Sequence, residues 1–118
     1  MGLVVETELF PEYLQIRLSG EYTFDEILNL VEASKKEAVS AGRNRILVDA
    51  RELAGTISES HKFFIGTKIA EVYGPMIKAV LIMKPGTITK LGETVAVNRG
   101  ARFLVTHSED EAIEWLLG

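Results

Sequence analysis

Two apolar runs constrain this chain more than anything else in it. Arg45-Ile46-Leu47-Val48-Asp49-Ala50 and Lys78-Ala79-Val80-Leu81-Ile82-Met83 are each strand length. Neither shows the period-two alternation of a strand with one wet face. Strands that read this way are buried on both faces, and helices crossing over a parallel sheet are what cover them. The rest of the chain supplies such helices. Thr23-Phe24-Asp25-Glu26 fits a capping box, and Phe24, Ile27, Leu28, Val31, Ala38 and Val39 then fall on one helical face up to Gly42, a position suited to a left-handed cap. A second helix is predicted over 59–73, closed by Gly74-Pro75. A third, weakened by Gly92, spans about 89–97. A fourth follows the capping box Ser108-Glu109-Asp110-Glu111, with Ala112, Ile113 and Leu116 inward.

The N-terminal stretch is different. Leu3 to Leu9 is rich in Val and Leu, and Tyr13 to Ser19 alternates, with Leu14, Ile16 and Leu18 opposite Gln15 and Arg17. Phe10-Pro11-Glu12 between them suggests an antiparallel hairpin. A last strand covers 101–106. The predicted order is β-β-α-β-α-β-α-β-α: an α/β fold with a mixed, mostly parallel five-stranded sheet and four helices.

With 118 residues the chain fits one domain, residues 1–118. Thirteen basic against seventeen acidic residues give a net charge of -4, the wrong balance for a nucleic-acid footprint. The absence of cysteine excludes disulfides, thiolate metal sites and cysteine nucleophiles. Glu6 and the lack of a basic leader do not fit a secretory signal, the Ser or Thr needed for myristoylation is missing, and no apolar run approaches the ~20 residues of a membrane span. A cytoplasmic protein without a membrane span is expected.

Three stretches resemble the SpoIIAA-like superfamily, which holds the STAS domains and the lipid-binding SEC14 (CRAL-TRIO) domains. The run 45–50 resembles the strand ending in Asp before the STAS switch loop. The segment 98–103 resembles the entry to the last strand. The run from Ser108 to Leu116 resembles the EEA-x-x-WL ending of SpoIIAA-like bacterial proteins. The resemblance implies a small regulatory or interaction domain without catalysis, often dimeric and acting on a protein partner. In STAS anti-anti-sigma proteins a partner kinase phosphorylates the second Ser of an Asp-Ser-Ser-Gly motif. The matching loop here reads Thr56-Ile57-Ser58-Glu59-Ser60-His61, so Ser60 is the nearest counterpart and Ser58 the next, without the flanking Asp and Gly.

Read from the residues themselves, Ser58 and Ser60 stand where a helix N-cap is expected. Phe64 falls between Lys68 and Glu71 on the polar side of the second helix, opposite Ile65, Ile69, Val72 and Tyr73. An aromatic there suits a partner or a second copy of the chain. Lys62 points toward the apolar side and is expected to snorkel. In open α/β sheets ligands sit at the carboxyl ends of the strands. Here that edge gathers Asp49 and Arg51, Lys84 and Thr87, and Thr106 and His107. An Asp after a buried strand with a later Lys-Pro superficially echoes a phosphate-accepting receiver, but the acidic pair such sites need is missing, and Asp49 is expected to accept backbone hydrogen bonds in the following turn. The segment 85–94 fails as a phosphate loop, since five residues separate Gly86 from Gly92 and Glu93 stands where Lys is required. His61 and His107, the two histidines, form no metal-ligand spacing, although both could reach one sheet edge and transfer protons there. No Gly-x-Ser-x-Gly elbow occurs. No cofactor is implied. Three readings follow: a non-catalytic interaction domain working through the second helix and its preceding loop, with Ser58, Ser60, His61 and Phe64 at the surface; a small apolar-ligand or lipid carrier; or an enzyme using Asp49, Lys84 and His107.

Overall fold

The two unalternating runs form the centre of the sheet. The computed structural model describes residues 2–118, and its elements follow the expected order: β1 (Leu3–Leu9), β2 (Leu14–Glu21), α1 (Phe24–Ser40), β3 (Arg45–Ala54), α2 (Glu59–Tyr73), β4 (Lys78–Ile82), α3 (Leu91–Asn98), β5 (Arg102–Thr106) and α4 (Glu109–Leu117). β1 pairs antiparallel with β2, and every other neighbouring pair is parallel, in the order β1-β2-β3-β4-β5.

This strand order decides where the helices go. Each parallel strand is added on the same side as the last, so crossovers of one hand put α1, α2 and α3 on one face. Ile27, Val31 and Ala38 of α1, Ile69 and Tyr73 of α2, and Ala96 of α3 share a core there with Leu14, Ile16 and Leu18 of β2, Ile46 of β3 and Phe103 of β5. α4 returns across the opposite face, where Ala112 and Leu116 pack on Leu47, Val80 and Ile82. β1 lies at the sheet edge beyond the helices on both faces: Val5 and Leu9, opposite Leu18 and Leu14, lie on the three-helix face and Val4 on the α4 face, and all three stay exposed. At the other end the sheet edge is closed: Glu93 on α3 accepts the Val105 amide at 2.7 Å. Leu14, Ile16, Ile46, Ile77, Ile82 and Leu116 are almost completely sealed. Each such side chain contributes about 1.5–3 kcal/mol relative to an exposed one.

β3 departs from the sequence pattern by running on past Ala50 to Ala54. The pairing with β2 shows how. Arg17 lies opposite Asp49, but Ser19 lies opposite Glu52, so β3 carries one extra residue at Ala50-Arg51. This bulge resets the in–out alternation, and Leu53 as well as Ala50 is buried in the helix-side core.

Smaller differences concern the caps and helix faces. The first capping box does not form as expected: the Thr23 hydroxyl donates to Glu26 Oε1 at 2.6 Å instead of accepting a backbone N–H, and the same carboxylate takes the Leu3 amide of β1 at 3.3 Å. The second box is half realised. Ser108 Oγ accepts from the Glu111 amide at 3.1 Å, but the Glu111 carboxylate turns to the hydroxyl of Thr106. Val39, expected on the inner face of α1, is 54% exposed, because that face drifts to Ser34 and Ala38 by the end of the helix. Ser34 is tolerated inside since its hydroxyl meets the Val31 carbonyl (2.8 Å) and the Tyr73 hydroxyl (2.6 Å). Burial pushes the Tyr73 phenol up to about 12.

α2 and α3 approach closely through glycine. A Cβ on Gly66 would lie 2.5 Å from the Gly92 carbonyl oxygen and 3.2 Å from Val95 Cβ; one on Gly92 would meet nothing nearer than the Lys62 carbonyl at 3.3 Å. Gly66→Ala should therefore force the helices apart and lower stability by about 1–3 kcal/mol in urea unfolding. Gly92→Ala should cost less than Gly66→Ala, as helix propensity gains offset the milder contact.

Candidate functional site

The residues singled out by sequence fall into three places. The first is the open sheet face beside α4. Asp49 is not at a strand end, because the bulge carries β3 beyond it. Its side chain instead serves the bulge. The Arg51 amide donates to Asp49 Oδ1 at 3.1 Å, so the expected backbone hydrogen bond exists, within the strand and not in a turn. Arg51 also grips the carboxylate with Nε on Oδ1 (3.0 Å) and Nη2 on Oδ2 (2.8 Å), and its Nη2 reaches Glu109 of α4 at 2.8 Å. Arg17 lies 3.9 Å away. Hydrogen bonds from Arg51 hold the Asp49 carboxyl below its ordinary value, against burial that would raise it.

The second place is the mouth between the carboxyl ends of β3 and β4, on the helix side. Lys84 and Thr87 border an outer chamber of ≈ 330 Å³ there, together with Gly55, Thr56 and Lys62. It adjoins a narrower inner cavity of ≈ 100 Å³ under α2, walled by apolar side chains that include Leu30, Val48, Ile65 and Leu81. Lys62 behaves as its position predicts. Its stem runs along the cavity and its ammonium emerges to meet Thr89 Oγ1 (3.0 Å), the Thr87 carbonyl (3.4 Å) and Glu59 (3.3 Å).

The third place is the outer surface of α2. Ser58 is the N-cap, its hydroxyl accepting from the His61 amide at 3.2 Å. Ser60 stands exposed in the first turn. His61 stacks on Phe24 with ring centroids 4.1 Å apart, and its Nδ1 pairs with the Tyr22 hydroxyl at 2.8 Å. Phe64 meets the edge of Phe24 at 6.3 Å and packs on Phe63 at 5.4 Å. Arg99 lies over the Phe63 ring at 5.8 Å. Phe63 and Phe64 remain 38% and 52% exposed. The result is an aromatic row crossing from the start of α1 over α2 to the end of α3. Sequence reasoning named Phe64 and His61 in it and missed Phe63, Tyr22 and Arg99. The adjacent pair Phe63-Phe64 was the available signal, since at ~100° per residue both fall off the stripe of Ile65, Ile69, Val72 and Tyr73.

The proposed catalytic trio does not assemble. Asp49 faces α4 and is held by Arg51, Lys84 borders the mouth on the opposite face, and His107 is exposed beyond β5. His61 and His107 both follow the carboxyl ends of parallel strands, β3 and β5, but His61 is engaged by Phe24 and Tyr22. Among the described residues no group of His, Asp and Glu could hold a metal, and no helix is long and apolar enough to cross a membrane.

No protein-family model matches the chain, and no curated protein matches it significantly. Solved structures do. An anti-sigma factor antagonist from Mycobacterium paratuberculosis superposes with a TM-score of 0.68 at 11% identity, over 98% of this chain and 95% of that one. A protein of the DUF3478 family with a SpoIIAA-like fold, from Shewanella loihica PV-4, gives 0.57 at 21% identity, over 98% and 93%. The anti-sigma factor antagonist SpoIIAA in its unphosphorylated form gives 0.54 at 16% identity, over 94% of each chain. The chain has the SpoIIAA-like, STAS-type fold.

The Asp49 cluster carries a pH-dependent contribution. The carboxyl is depressed in the folded state, so its stabilisation is complete above the unfolded value of about 4 and fades as pH falls below it. Asp49→Asn should lower stability by about 1.5–3 kcal/mol at neutral pH. The gap to the native protein should narrow in acid, as followed by chemical unfolding at a series of pH values.

Proposed function

We propose that this chain is a non-catalytic STAS-like regulatory domain that binds a protein partner through α2 and the loop before it. The observation that carries this reading is the exposed aromatic row. Large aromatic side chains are favoured at interface cores, and here they stand on a helix rigidly seated by Gly66 and the Tyr73–Ser34 pair. Anti-sigma factor antagonists among the structural neighbours support a regulatory role with a protein partner. Ser60, exposed beside this row, is the position where a phosphate would alter docking, because it would place about two negative charges at the start of α2 next to the aromatic surface. Ser58 is the weaker candidate, since its hydroxyl already caps the helix.

A photo-crosslinking residue placed at Glu71, on the exposed side of α2, should capture a defined protein from native cells or a second copy of the chain. The double substitution Phe63→Ala with Phe64→Ala should abolish that capture, and Ser60→Glu should weaken it. Stability should change by less than about 1 kcal/mol, because both rings are substantially exposed. Capture unaltered by either change would place the working surface elsewhere.

A further inference from the structure

The inner cavity and its mouth lie apart from the aromatic row and adjoin each other. Ala50, Leu53, Ile57, Lys62, Met83 and Thr87 border both chambers. The inner chamber is hydrocarbon on nearly every side, between α2 and the strands β3, β4 and β5. Apolar cavities of this kind stay dry, and one of ~150 Å³ takes up a benzene-sized molecule. An unfilled apolar cavity costs stability. This one opens toward the carboxyl ends of β3 and β4, where open α/β sheets bind their ligands.

The outer chamber has the opposite character. Its lining includes Lys62, Lys84, Thr56 and Thr87. Lys62 borders both chambers, and its ammonium is shared with Glu59 and Thr89. Lys84 is exposed and, among the described residues, forms no salt bridge. Glu59 is the acid that pairs with Lys62, at 3.3 Å, and Thr89 Oγ1 donates to its carboxylate at 3.0 Å. A ligand carboxylate would therefore share Lys62 with Glu59 and have Lys84 to itself.

We infer that this space binds a small anionic amphiphile: a carboxylate whose short alkyl chain enters the inner chamber while its head lies between Lys62 and Lys84. The tail must be short, since ≈ 100 Å³ admits only a few carbons before the chain reaches the wider mouth. The head must be anionic, because the junction offers two cations against one acid. Binding here needs neither Phe63 nor Phe64, so this site and the partner surface stand or fall separately.

Octanoate titrated into the full-length, isotope-labelled protein should give saturable amide shifts at Ala50, Leu53, Ile57 and Met83. Octylammonium, with the same tail and the opposite charge, should bind at least about tenfold more weakly. Lys84→Glu, on an exposed side chain that leaves the fold intact, should weaken octanoate severalfold, and Ala50→Leu, which fills the junction, should remove the shifts. If Ala50→Leu fails to fold, Lys84→Glu and octylammonium still decide. Absence of saturable shifts at those amides, equal affinity for octylammonium, or octanoate binding indifferent to Lys84→Glu would each overturn the site.

Discussion

The contact between Asp49 and Arg51 is the one on which the working parts of this protein depend. A bulge frees a backbone N–H from the ladder, and a buried N–H without a partner is costly. Asp49 supplies the partner, and the Arg51 side chain neutralises the charge this brings into the sheet. With the bulge held, β3 continues to Ala54, Leu53 turns inward and the chain enters the loop that leads to Ser58 and α2. The mouth of the cavity and the starting point of the aromatic helix are both set by that extension. Glu109 ties the same cluster to α4.

The uneven covering of the sheet explains the rest. Three helices crowd one face, and α2 lies between the other two, close enough to α3 that Gly66 is required. Crowding leaves α2 only a narrow inward stripe, so Phe63 and Phe64 are turned out, where Phe24 and His61 give them company. The same crowding does not quite close the layer under α2, and the apolar cavity is what remains. The cavity and the aromatic surface are therefore two sides of one helix. They differ in character: the inner side is walled by hydrocarbon and the outer side exposes aromatic rings.

The fold was legible in the sequence because its signals are local and strong. The unalternating runs at 45–50 and 78–83 announced buried parallel strands, the alternation of Leu14, Ile16 and Leu18 announced the half-wet β2, and Gly42 takes up the left-handed conformation, φ 72°, that its position suggested. The bulge was not legible. Arg51-Glu52-Leu53 reads as the end of a strand, and only pairing with β2 shows that it continues. That one gap misplaced Asp49 and Arg51 at a strand end and led to an expected clustering with Lys84 and His107 that the structure does not contain. The capping boxes failed in part for a related reason: Glu26 and Glu111 found better donors in Leu3 and Thr106, which lie on other elements. The aromatic row was visible only as His61 and Phe64, since Phe24 and Tyr22 come from the start of α1 and the chain before it, and a helical wheel of α2 carries no information about them.

Amide hydrogen exchange on Asp49→Ala reads the hold of this carboxylate on the bulge. If the Asp49 carboxylate holds the bulge, the Arg51 amide should lose its protection, and amides from Gly55 to His61 should exchange about tenfold faster or more, while β4 and β5 keep their native rates. An Arg51 amide as protected in the variant as in the native protein, with the loop before α2 unchanged, would contradict the account.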